Sequence, residues 1–89
     1  MIITTLNKKI IQCIEELFAS FNIPEEKIQL VLTKKEFEGD ITLVLFPLIQ
    51  FIKKPIHELG DEIGNLLVKK DEFDSFNVVS GFLNLVVSD

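Results

Sequence analysis

Tryptophan and tyrosine are absent from this 89-residue sequence, and cysteine, histidine and methionine occur once each. One cysteine, Cys13, excludes an internal disulfide and leaves no cluster for a metal. It fits a reducing, cytoplasmic setting. No glycine-rich phosphate loop is present. Long apolar runs are missing too. The longest stretch, residues 41–52, is interrupted by Thr42, Pro47 and Gln50 and is too short to span a bilayer, so no membrane role is expected. Met1 is followed by Ile2, Ile3 and Thr4 without a positively charged segment, which argues against a secretory signal. Positive charge is also scarce. The net charge is −5, whereas a domain that binds nucleic acid unaided is normally basic. DNA binding is not expected, and any contact with RNA would be auxiliary to a larger machine.

What remains is core material. The sequence is 47% hydrophobic, with eight phenylalanines that bring bulk without polar handles. That is too apolar for a disordered chain, and 89 residues make one small domain, residues 1–89. Leu6, Ile10, Ile14, Leu17, Phe18 and Phe21 recur at three- and four-residue steps, which predicts an amphipathic helix over residues 4–21, capped by Thr4 or Thr5. Pro24 closes it. Residues 28–32 read as a strand that Lys34, Lys35 and Glu36 continue outward. Phe37-Glu38-Gly39-Asp40 reads as a turn, with Gly39 free to take a positive φ.

Residues 41–52 admit two readings. Ile41 to Phe46 has strand propensity, yet Asp40 is a good helix cap and Pro47 suits a first helical turn. Pro55 opens a clearer helix, in which Ile56, Leu59, Ile63, Leu66 and Leu67 repeat at helical spacing. Its acidic start and its Lys69-Lys70 end suit the helix dipole. Residues 71–75 read as a polar connection, and residues 76–87 as a final strand interrupted at Ser80-Gly81. The order predicts an α+β fold: a small two-layer domain with helices packed on one face of a mainly antiparallel sheet.

Catalytic signals are few. His57 has no visible nucleophile or orienting partner and reads as a surface residue. Cys13 falls near the apolar face of the first helix and reads as core. Asp71, Glu72 and Asp74 lack the spacing of a calcium loop. Gly60 and Gly64, four apart, permit close packing of their helix. No catalytic residue and no metal site is assigned, so the chain reads as a binding or interaction module, or as a piece of something larger.

Two segments in fixed order carry a resemblance. They are "FEGDITLVLFPLIQFIKKPIHELGDEIGNLL", residues 37–67, and "FNVVSGFLNLVVSD", residues 76–89. The Phe37-Glu38-Gly39-Asp40 turn, the apolar segment ending in Lys53-Lys54, Pro55 with its helix, and Gly81-Phe82-Leu83-Asn84 together resemble the N-terminal additional domain of arginyl-tRNA synthetases. The segment GDITLVLFP running into KKP is similar to that of Bacteroides-like bacteria. Departures are Glu38, inserted between Phe37 and Gly39, and Val79-Ser80-Gly81 where the family usually has Ala-Gly-Pro-Gly.

The resemblance implies a helix from about Val44. It also implies a polypeptide that continues past Asp89 into a class I arginine–tRNA ligase, which uses ATP with Mg. The 89 residues themselves would be non-catalytic and need no cofactor. The implied partners are tRNA(Arg), gripped at the D-loop on its outer corner, and the remaining domains of the same polypeptide.

Phe82 and Asn84 lie two apart and so share one face of a strand. Taken alone, they suit either core and edge positions or a ring and an amide that read one unpaired base. The resemblance favours base contact, with Gly81 letting a nucleotide approach. The lysine pairs read as solvated margins or, for Lys34, Lys35, Lys53 and Lys54, as phosphate contacts. A protein-interaction module and a purely structural appendage stand as the alternatives.

Overall fold

The computed structural model describes residues 2–70 and 73–87, without the side chains of residues 2–6 and 25. Helix α1 covers Ile2–Leu17, followed by short 3-10 turns at Ala19–Phe21 and Glu25–Lys27. Strand β1 is Gln29–Leu32 and β2 is Ile41–Val44. A one-turn helix α2 at Phe46–Ile49 leads to α3, Ile56–Lys69. Strands β3, Phe73–Val79, and β4, Phe82–Val87, form a closing hairpin. Helix α1 begins at Ile2, so Thr4 and Thr5 lie within it and neither caps its start, and it ends at Leu17 rather than Phe21. Residues 71 and 72 of the expected 71–75 connection, and Ser88 and Asp89, fall outside the described residues.

The four strands form one antiparallel sheet in the order β1-β2-β4-β3, as the α+β expectation requires. Alternation then divides the side chains between two faces. Leu43, Leu83 and Leu85 point to the helical side and are fully buried with Ile10, Ile14, Leu59 and Ile63. Burial of about 25 cal/mol per Å² of apolar surface makes this seam the main source of stability. Cys13 lies in the same seam, where burial pushes its thiol pKa up, and His57 is exposed.

Several expectations are corrected. The strand ends at Leu32, and Lys34 to Glu36 belong to a turn in which Phe37 N–H donates to the Lys34 carbonyl at 3.0 Å. Residues 41–44 are strand, so the helix expected from Val44 begins at Phe46, with Pro47 in its first turn. Residues 73–75 extend β3 rather than linking to it. Asp40 caps no helix. Its N–H donates to the Leu85 carbonyl at 2.7 Å, and its Oδ2 accepts from Val87 N–H at 2.9 Å, lengthening the β2–β4 pairing.

Helix α3 lies tight against β3. A Cβ built on Gly64 would stand 2.6 Å from the Phe76 ring, and one on Gly60 2.7 Å from Val78. Helix propensity alone makes Gly→Ala favourable by about 1 kcal/mol. Overpacking opposes it by about 1–3 kcal/mol. Gly64→Ala is therefore expected to lower the thermal midpoint by several degrees, while Asn65→Ala on the exposed side leaves it almost unchanged. A raised midpoint for Gly64→Ala would show that the helix and strand are not in this contact.

Candidate nucleic-acid interface

The sheet face turned away from α1 and α3 carries Phe82 and Asn84. Register puts Asn84 opposite Thr42 of β2 on one side and Asn77 of β3 on the other, with Phe82 opposite Val44 and Val79. Asn84 is only 1% exposed and Thr42 only 4%. A buried amide without partners costs several kcal/mol, and here the partners are supplied in series. Thr42 Oγ1 donates to Asn84 Oδ1 at 2.6 Å, and Asn84 Nδ2 donates to Asn77 Oδ1 at 2.9 Å. Asn77 Nδ2 donates to the Glu38 carbonyl at 2.8 Å. At the far end, Thr33 Oγ1 and Thr42 Oγ1 lie 2.8 Å apart.

Both ends of this chain, Thr33 and Glu38, belong to the 33–40 turn between β1 and β2. The bonds therefore fasten that turn down over the sheet. Gly39 lies directly above Asn84, at φ +151°. A Cβ there would meet Asn84 Cβ at 3.2 Å and Thr33 Oγ1 at 3.1 Å, so the seat is cut to fit glycine.

Beside the seated turn is an open cleft of about 300 Å³, lined by Val31, Leu32, Lys34, Phe37, Thr42, Phe82 and Asn84. It is at the small end of the range for ligand sites. Its walls are apolar and aromatic, its floor holds the Thr42–Asn84 pair, and it carries one cation, Lys34. Lys35 is exposed on the same turn.

The structure thus brings together Phe82, Asn84 and Lys34 of the residues expected from sequence, and places Lys35 nearby. The others are differently disposed. Gly81 is buried, and the space above it is filled by the Phe46 ring, which a Cβ would strike. Phe46 in turn meets Phe82 edge to face, with ring centres 6.4 Å apart. Gly81 therefore seats an aromatic ring of its own chain. Lys53 and Lys54 are exposed between α2 and α3, and Lys54 Nζ is paired with Glu62 Oε1 at 2.6 Å. Asn84 lines the cleft with half of its side-chain hydrogen-bonding capacity, one lone pair and one hydrogen, spent inside the protein.

Thr33, Phe37, Thr42 and Asn77 escaped the sequence reading. Two signals pointed at them: Thr42 is a polar residue inside an apolar strand, and Phe37 belongs to the motif turn. Among the described residues, no group of three or more His, Cys, Asp or Glu is placed to hold a metal ion. No helix there is long and apolar enough to cross a membrane.

Thr42→Val keeps the shape and removes the hydroxyl. Unsatisfied buried groups cost about 1–3 kcal/mol. Urea unfolding is expected to show a loss in that range, with faster amide exchange through residues 33–40. An unchanged midpoint and unchanged exchange would show that the chain does not hold the turn.

Comparison with known proteins agrees with this architecture. The family model for the arginyl-tRNA synthetase N-terminal domain matches residues 4–87. The arginine–tRNA ligase of Flavobacterium psychrophilum is 43% identical over 95 residues, covering 94% of this chain and 15% of that protein. That of Bacteroides thetaiotaomicron is 43% identical over 67 residues, covering 74% of this chain and 11% of the relative. The chain thus spans about one-seventh or less of the length of these relatives. Among solved structures, Thermus thermophilus arginyl-tRNA synthetase superposes with a TM-score of 0.75 at 22% identity, covering 99% of this chain and 14% of that one, and so shares the fold. With the family model covering nearly its whole length, the chain belongs to the arginyl-tRNA synthetase N-terminal domain family.

Proposed function

We propose that this domain is the tRNA-contacting part of an arginine–tRNA ligase, and that its cleft receives one unpaired base from the D-loop of tRNA(Arg). The observation that carries the reading is the cleft itself: aromatic walls at Phe37 and Phe82, a polar floor at Thr42 and Asn84, and Lys34 on its lining. An unpaired loop base is recognised by that combination, stacking on a ring while its edge meets hydrogen-bonding groups and a cation meets its phosphate.

In this reading Asn84 contributes in two ways. It holds the turn that completes the cleft, and it offers whatever hydrogen-bonding capacity its internal bonds leave over. Phe82 supplies the stacking surface. Lys34 and Lys35 are the phosphate contacts. Lys53 adds charge from a second site, and Lys54 does so where it exchanges Glu62 for a phosphate. Gly81 acts through the ring it seats. With a net charge of −5, the domain adds a local contact rather than general affinity for nucleic acid.

Arginine activation with ATP and Mg, and its transfer to tRNA, belong to the remaining domains of the same polypeptide, working in the cytoplasm. The domain is a separable folding unit of that longer chain. It contributes affinity and identity rather than chemistry.

Phe82→Leu keeps an apolar side chain against Phe46 while removing the ring. Base stacking is worth about 1–3 kcal/mol, so binding of tRNA(Arg) is expected to weaken about 5- to 150-fold without loss of folding. Lys34→Ala should weaken binding across all loop sequences and lower the salt slope by about one. Full affinity in Phe82→Leu, together with indifference to the loop base, would refute the assignment and favour a structural appendage or a protein-docking module.

A further inference from the structure

The polar chain has a direction, and one backbone atom sets it. The Glu38 carbonyl can only accept, so the Asn77 group that faces it at 2.8 Å is Nδ2. Asn77 therefore turns Oδ1 toward Asn84, which answers with Nδ2 at 2.9 Å. That leaves Asn84 Oδ1 facing Thr42, whose hydroxyl gives its hydrogen there at 2.6 Å. The remaining bond, at 2.8 Å, must then run from Thr33 to Thr42.

A hydroxyl has one hydrogen and two lone pairs. Thr42 has spent its hydrogen and one lone pair, so only a lone pair is left for the cleft it lines. Reversing Asn84 would free the Thr42 hydrogen and exchange the positions of the amide's own spare hydrogen and lone pair. Asn77 blocks that reversal, because it would set Oδ1 against Oδ1.

We propose that Asn77, which is not among the residues lining the cleft, is its positioning residue. It fixes which end of the Asn84 amide faces Thr42. The floor at Thr42 is thereby made acceptor-only, and it selects a base bearing an amino group over one bearing a keto oxygen. The inference rests on the reading that the cleft takes a base, and names what that base must offer. Cytosine and uracil make the sharpest comparison, since one carries an N4 amino group where the other carries O4.

Two substitutions separate orientation from tethering. Asn77→Asp keeps an acceptor for Asn84 Nδ2 but loses the donor to Glu38. Asn77→Ala loses both. The 89-residue chain would be titrated with two RNA hairpins identical except for cytosine or uracil as the unpaired loop base. The wild type and Asn77→Asp are expected to prefer cytosine by about tenfold, and Asn77→Ala by about twofold or less. A preference unchanged across all three, with affinity falling equally for both hairpins, would make Asn77 merely structural and overturn the inference.

The Asn84 side-chain amide signals of the free chain give an RNA-independent readout. They should shift and lose exchange protection in Asn77→Ala and stay protected in Asn77→Asp. Unchanged signals in Asn77→Ala would overturn the inference in the absence of any RNA. Failure of the wild type to bind either hairpin would instead count against the proposed function, leaving the amide signals to decide the role of Asn77.

Discussion

An amide in the middle of a sheet has to be answered by hydrogen bonds or it destabilises the strand that carries it. Asn84 sits on β4, between β2 and β3, and is answered from both sides by Thr42 and Asn77. Because the series continues to Thr33 and to the Glu38 carbonyl, the bonds that stabilise the amide also close the 33–40 turn onto the sheet. The series adds to the backbone bonds at 33, 37 and 40 and to the Asp40 carboxylate bond from Val87, and it is what fastens the middle of the turn to β3 and β4. The cleft beside Phe82 depends on that placement, since Lys34 and Phe37 reach it from the turn while Thr42, Phe82 and Asn84 reach it from the sheet.

The two faces of the sheet do different work. One is sealed by α1 and α3 and gives the fold its stability, with Leu83 and Leu85 of β4 at its centre. The residues that alternate with them on the same strand, Phe82 and Asn84, line the cleft. A period of two thus lets a six-residue strand serve core and cleft together. The close seat of α3 on β3 at Gly60 and Gly64 holds the sheet from behind.

Much of this was legible in the sequence because it rests on local rules. Apolar spacing gave α1 and α3, Pro55 gave the start of α3, and strand alternation put Phe82 and Asn84 on one face before any partner was known. What stayed hidden depends on contacts between distant residues. Ser80 takes φ 55° and turns the closing segment into a hairpin, a conformation a serine does not advertise. Asp40 looked like a helix cap because its use by Val87 arises only when β4 pairs with β2. Asn84 looked like a free reader because Thr42 and Asn77 stand 42 and 7 residues away in the chain. The partner of Lys54 was likewise set by the path of α3. The Phe46 ring over Gly81 is a tertiary choice that no motif expressed.

Chemical-shift mapping puts the central claim to the most direct test. The 89-residue chain, isotopically labelled, would be titrated with an RNA hairpin carrying the D-loop sequence of tRNA(Arg). The account predicts that the largest shifts fall together on Val31, Lys34, Phe37 and Phe82 and on the Asn84 side-chain amide, while Glu15, Asn22 and the exposed side of α3 stay still. Shifts centred on the helical layer, with the residues of the cleft unmoved, would contradict it.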